Sequence, residues 1–225
     1  MNMKTTIASV LLATGVSAGG TMTIDVLPVE SGKLIATDGW YCCTLNSITM
    51  NPPSISIKSC TYMGGYCMGS KNTAAWVFDI PELPEGTVLD SFKLTGGRSG
   101  AVTSGSLYYA WAPDEDLSVA TAENAWSNAD ASSSIYWSGS TFSHTVPSSL
   151  FTSGVSGRLM VVGFASGEYS VTLANSGSQA THLELLVQAE PTPPGACCLD
   201  SGGCAVVELH MCEYAGGTFL GEDSS

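Results

Sequence analysis

Eight cysteines, three histidines and twenty carboxylates are the side chains of this sequence best suited to chemistry, and their spacing limits what that chemistry can be. Cys42, Cys43, Cys60 and Cys67 lie in the first third, and Cys197, Cys198, Cys204 and Cys212 lie near the C-terminus. Structural zinc favours paired thiolates two to four residues apart, and the sequence holds no C-x-x-C. A bond between the neighbours Cys42 and Cys43 would be strained, because adjacent strand residues point to opposite faces. Two cross-pairings are therefore expected, joining Cys42 and Cys43 to Cys60 and Cys67 in either combination. In the tail, Cys204 and Cys212 have a partner each in Cys197 and Cys198, with the combination again open.

Catalytic patterns are weaker. The one G-x-S-x-G match, Gly15 to Gly19, falls across an expected cleavage point and would not survive in the exported chain. His144 stands beside Pro147 in a turn-rich stretch, His182 on the outward face of an expected strand, and His210 in the tail; each reads as a surface residue without a positioned nucleophile. Asp79, Asp90, Asp130 and Glu168 could meet as a glycosidase pair in space, but nothing in their spacing selects two of them. The chain is read as non-catalytic, with no cofactor other than calcium. Asp114 and Asp116 open like a calcium loop, with Ser118 in the fifth position. Val119 replaces the obligatory glycine and Ala125 the bidentate glutamate, which leaves a non-EF calcium site or a solvated acidic run. Tyr41, Tyr62, Tyr66 and Tyr108 are candidates for stacking on sugars, against the plainer reading of half-buried sheet aromatics, whereas Trp76 and Trp111 read as core.

Compartment decides how the cysteines are read. Lys4 precedes an apolar run from Ile7 to Val16, which ends small-x-small at Val16, Ser17 and Ala18, the plan of a secretory signal peptide over residues 1–18. About ten apolar residues cover only half of a ~30 Å hydrocarbon layer, so the segment is too short to anchor the chain. No later stretch is apolar for long enough to predict a transmembrane segment. A secreted or cell-surface location follows, and with it disulfides rather than thiols. The net charge is −13 and the isoelectric point about 4.3, and loss of Lys4 makes the exported chain one unit more negative. A chain so acidic lacks the basic stripe that a nucleic-acid partner needs.

Those side chains must be held by β-structure. From Thr21 to Ala189 short apolar runs are broken by Gly, Ser, Asn and Pro, with no sustained helical period. Strands are expected at 23–29, 40–45, 54–60, 73–80, 88–95, 104–111, 133–137, 157–165, 169–174 and 181–189. Alternation puts Ala74, Trp76, Phe78 and Ile80 on one face, and Leu183, Leu185 and Val187 inward on the last strand. Arg158–Ala165 is apolar on both faces, which marks a central strand. The only helix expected is around Leu117–Trp126. The fold class is all-β: a two-sheet, jelly-roll-like sandwich over 21–189. A proline-rich linker at 190–195 leads to a small disulfide-rich appendage at 196–225, which is too short to bury a core unaided.

The segment AWVFDIPELPEGTV from Ala75 to Val88, with Phe92 and Leu94 beyond it, resembles the DNRLRE-type secreted β-sandwich, in which a strand ending Phe-Asp passes through a Leu-Pro-x-Gly turn into the next strand. Trp126, Trp137 and the run HLEL at His182–Leu185 extend the likeness. The resemblance implies a sandwich appended to secreted enzymes and surface proteins, and it brings no catalytic motif. The tail, GACCLDSGGC at Gly195–Cys204 followed by Cys212 and AGGTFLGE at Ala215–Glu222, is similar to a short cysteine-rich repeat of secreted bacterial proteins that continues to further cysteines. That likeness favours a chain that extends past Ser225 over one that ends with four tail cysteines, and a repeat that continues would leave one or two of the four free.

The function expected is that of a secreted structural or adhesive protein of the cell surface, whose partner is another copy of itself. A carbohydrate-binding module for extracellular polysaccharide is the alternative, and an accessory domain of a glycan-active enzyme the third.

Overall fold

The computed structural model describes residues 12–14, 21–36, 45–59, 61–63, 66–68, 71–83, 87–111, 115–150, 156–166, 170–189, 195–199, 202–207, 212 and 217–222. The chain divides into two compact units, Met1–Glu85 with Leu89–Gln188, and Gly86–Val88 with Ala189–Ser225.

The first unit is an antiparallel β-structure of two layers. One layer contains β1 (Leu12–Thr14), β2 (Thr21–Val26), β15 (His182–Ala189), β9 (Thr87–Gly100) and β12 (Thr141–Thr145). The other contains β3 (Glu30–Ala36), β4 (Ser47–Met50), β5 (Ser54–Lys58), β8 (Lys71–Ile80), β10 (Thr103–Trp111), β11 (Ala131–Trp137), β13 (Gly157–Ala165) and β14 (Ser170–Ala174). In that layer β4, β3, β8, β13, β10 and β11 follow one another, and β11 ends the sheet. A hairpin of β6 (Thr61–Met63) and β7 (Tyr66–Met68) stands apart from both. β9 joins the layers: its residues 93–97 pair with β12 and 98–100 with β14, and Gly96 and Gly97 sit where it changes partner. A glycine pair at that place lets a long strand bend sharply.

Between the layers lies one apolar core, with Ile24, Phe92, Leu94, Phe142, Leu183, Leu185 and Val187 from the first layer. Trp76, Phe78, Leu107, Tyr109, Trp137, Leu159 and Val161 come from the second. The alternation expected on β8 and β15 is present, and β13 is buried from Leu159 to Ala165. Covering both faces of β13 requires a further layer. It is supplied by α1 (Val119–Ser127), whose Ala122 and Ala125 pack with Leu117 on Ala75, Val77, Met160, Val162 and Phe164. Ser118 caps α1: its hydroxyl accepts from the Thr121 amide while Thr121 Oγ1 accepts from the Ser118 amide, so two orphan donors of the first turn are satisfied.

The differences from the sequence reading have local causes. β3 and β4 were not among the strands expected, and Ser31 and Gly32 interrupt the apolar pattern at the start of β3. Ser31 and Gly32 are in fact buried, and a Cβ at Gly32 would press on Ile48 and Leu117. The hairpin β6–β7 was also missed, and so was β12, so that His144 lies in a strand rather than in a turn. The strand expected at 40–45 lies outside the described residues except for Leu45, which is buried.

In the second unit β16 (Gly195–Cys198) is central, flanked by β17 (Cys204–Val207) and β18 (Thr218–Glu222). Gly195, expected in the linker, is the first residue of β16; a Cβ there would collide with the Gly221 carbonyl, so this close strand approach requires glycine. Cys197 is bonded to Cys212 and Cys198 to Cys204, which resolves the open combination in the tail.

Candidate functional site

Three groupings of polar side chains are built by these elements, all in the first unit. The first gathers around Arg158 on β13, whose Nη2, Nε and Nη1 donate to Glu30, Asp79 and Asp116 at 3.2, 3.1 and 3.2 Å. Burial opposes its charge, but the three carboxylates outweigh that and hold the Arg158 pKa above its ordinary value. Glu30 also accepts from the Leu117 amide at 2.5 Å, so the network ties β3, β8 and β13 to the segment that leads into α1. Asp116, a candidate calcium ligand, is therefore engaged by a guanidinium, and Asp114 lies outside the described residues. Of the carboxylates considered for hydrolysis, Asp79 serves this network, and Asp130 accepts from the Trp111 amide at 2.8 Å. Asp90 is exposed, and Glu168 lies outside the described residues.

The second grouping closes one margin of the sandwich. His144 on β12 is half-buried, its Nε2 is 2.8 Å from Ser133 Oγ on β11, and Ser133 Oγ is 3.3 Å from the hydroxyl of Tyr109, which is fully buried on β10. Sequence reading missed this chain because its members come from three strands, and His144 was taken for a turn residue. A serine against a histidine is the start of a nucleophile and base. Among the described residues no carboxylate hydrogen-bonds His144 to orient it, and the burial of Tyr109 leaves that side closed. The arrangement acts as a polar clasp between the layers.

Burial sets the pH behaviour of this clasp. It pushes the Tyr109 hydroxyl up to about 12, an effect only partly offset by the bond to Ser133, and it lowers the pKa of His144. For Tyr109 the unfolded value is near 10, so its contribution is fully present below pH ~10 and is lost as the pH rises towards 12. For His144 the sign is opposite, and stability falls as the pH drops below ~6.5. Equilibrium unfolding of Tyr109→Phe against pH should show a flattened alkaline limb, worth about 2–3 kcal/mol in the parent; an unchanged limb would refute the assignment.

The third grouping lies on the outer face of β10 and β11. Registry places Ser104 opposite Tyr136, Ser106 opposite Ser134 and Tyr108 opposite Ser132, all pointing away from the core that holds Leu107, Tyr109, Ile135 and Trp137. Tyr136 is 67% exposed, the most exposed aromatic ring described, so its face is free. Tyr108, expected as an exposed platform, is half-buried because α1 covers that end of the face. Its ring meets Phe164 at 5.6 Å and Trp126 at 6.5 Å, and Lys71 Nζ sits 4.4 Å from the Phe164 centroid. Tyr41 lies outside the described residues, as do the side chains of Tyr62 and Tyr66. Trp76 is fully buried as expected, and Trp111 is packed partly buried against the core, with its Nε1 donating to the Leu150 carbonyl at 3.3 Å. Cys42, Cys43, Cys60 and the side chain of Cys67 also fall outside the description.

The sequence matches no family model and no curated protein. The class that fold and site define is an all-β, sandwich-like protein with disulfide bonds, and none of its described helices is long and apolar enough to cross a membrane.

Proposed function

We propose that the protein is an exported, non-catalytic structural or adhesive protein that associates with copies of itself along an open sheet edge. The observation behind this reading is β11. It ends its sheet, it runs for seven residues, and its sequence ASSSIYW holds no charge and no proline. Edge strands that must stay single usually carry lysine, proline or a bulge, since an unprotected row of amides and carbonyls templates another strand. Here Ser132, Ser134 and Tyr136 decorate the edge with hydroxyls, and none of them repels a second copy. The signal-like N-terminus and the tail disulfides support export. Sedimentation across a concentration series should show multimers for the parent and their loss in Ser132→Glu/Ser134→Glu, because like charges meet across a paired edge. A parent that stays monomeric at high concentration would overturn the reading.

A carbohydrate-binding role is favoured by one separate observation, the free Tyr136 ring in a row of serine hydroxyls. An apolar sugar face stacked on Tyr136 with serines bonding its hydroxyls would give retention on a glycan array that Tyr136→Ala abolishes.

A further inference from the structure

We infer that Asp25, His182 and Glu184 form a binding site for a zinc-class divalent cation on the outer face of the first layer. Glu184 on β15 stands directly opposite Asp25 on β2, and His182 lies two residues from Glu184, on the same face. Their neighbours Ile24, Val26, Leu183 and Leu185 point the other way, into the core, so all three polar side chains are presented outward and half-buried. One ligand atom from each lies within 4.8 Å of the other two.

Two features point to a metal rather than to a plain surface pair. Carboxylates placed directly across a β-ladder repel each other, so a cation held between Asp25 and Glu184 would relieve the repulsion of this pair. The imidazole is also set for coordination. His182 Nδ1 lies 2.7 Å from the Ala180 carbonyl, and a carbonyl only accepts, so Nδ1 carries a hydrogen and in the neutral ring the lone pair is on Nε2. That is the second-shell arrangement that orients metal-binding histidines. His182 Nε2 stands 3.7 Å from Glu184 Oε1, too far for a hydrogen bond. It is close to the ~3–3.5 Å between two ligands of one ion with bonds of about 2.0–2.2 Å. One nitrogen and two carboxylate oxygens suit zinc, with coordination positions left for water, and the imidazole argues against calcium, which takes oxygen alone. The bound ion would clip β2 to β15.

The test is titration of the full, disulfide-intact chain with zinc, followed by calorimetry and thermal unfolding, and with cobalt as a visible spectroscopic substitute. One equivalent should bind and raise the unfolding temperature, and cobalt should develop a ligand-field band. His182→Ala, Asp25→Asn and Glu184→Gln should each weaken binding by at least about tenfold. The two isosteric amides serve as the variants least able to disturb folding, and their metal-free unfolding temperatures check this. No binding at millimolar zinc, or parental affinity in His182→Ala, would overturn the proposal and leave His182 as an ordinary partner of Glu184.

Discussion

Trp76→Ala should cost the sandwich about 3–5 kcal/mol, a large part of the 5–15 kcal/mol that holds a domain of this kind together. Trp76 sits at the middle of β8, where it is paired with Val161 on β13 and Ser31 on β3, and its ring is fully buried. The ring reaches across to Gly163, where an added Cβ would lie 3.3 Å from Trp76 Cζ3, so the neighbouring strand has left space for this one side chain. Truncation empties that space between two hydrogen-bonded sheets, which cannot collapse into it without breaking register, and the cavity term is then felt in full. The Trp76 indole N–H is buried with no hydrogen-bond partner among the described residues, so it adds a desolvation penalty to the parent. Trp76→Phe, which removes that N–H and keeps most of the ring, should therefore cost much less than the alanine change. Denaturant titration of the three proteins checks the order, and equal losses for Phe and Ala would show that the N–H is satisfied and that its loss outweighs the ring volume that Phe retains.

The second large effect lies in the other unit. Cys197→Ala/Cys212→Ala should unfold it while the sandwich keeps its near-ultraviolet signal from buried tryptophan. Its three short strands bury few apolar side chains among the described residues, chiefly Ala196, Cys197 and Cys212, so the core alone cannot offset the ordering entropy. The Cys197–Cys212 bridge spans 15 residues and removes about 3 kcal/mol of unfolded-state entropy. Cys198–Cys204 spans 6, contributes about 2 kcal/mol by the same relation, and ties only the β16–β17 pair. Loss of the wider bridge removes the larger constraint. Amide exchange should show the loss directly: protection at Ala196 and Phe219 falls in the variant, whereas protection at Val161 does not. Retained protection at Phe219 would show that the strands hold without the bridge.

The parts of the fold that could be read from residues alone are those where local pattern and tertiary role agree. β8, β10, β13 and β15 carry strict alternation or unbroken apolar runs, and both patterns follow from a two-residue period against one or two covered faces. β3 escaped notice because Gly32 is small for a tertiary reason: Ile48 and Leu117 occupy the room that a larger side chain would need. No local signal distinguishes such a glycine from one in a turn.

Composition and spacing by themselves determined that this is a β-protein with two cysteine groups, a signal-like N-terminus and a strongly acidic charge, because each of these is a sum or a short-range period along the chain. Only the tertiary structure decided which side chains share a site. Asp25 and Glu184 are separated by most of the sequence yet stand opposite one another, because β2 and β15 pair at one register. Ser133 reaches His144 only because β11 and β12 belong to different layers that meet at one margin. Strand pairing of this kind is set by burial of the opposite face, through Leu183, Leu185, Ile24 and Val26. The outward residues inherit positions that their own sequence neighbourhood does not specify.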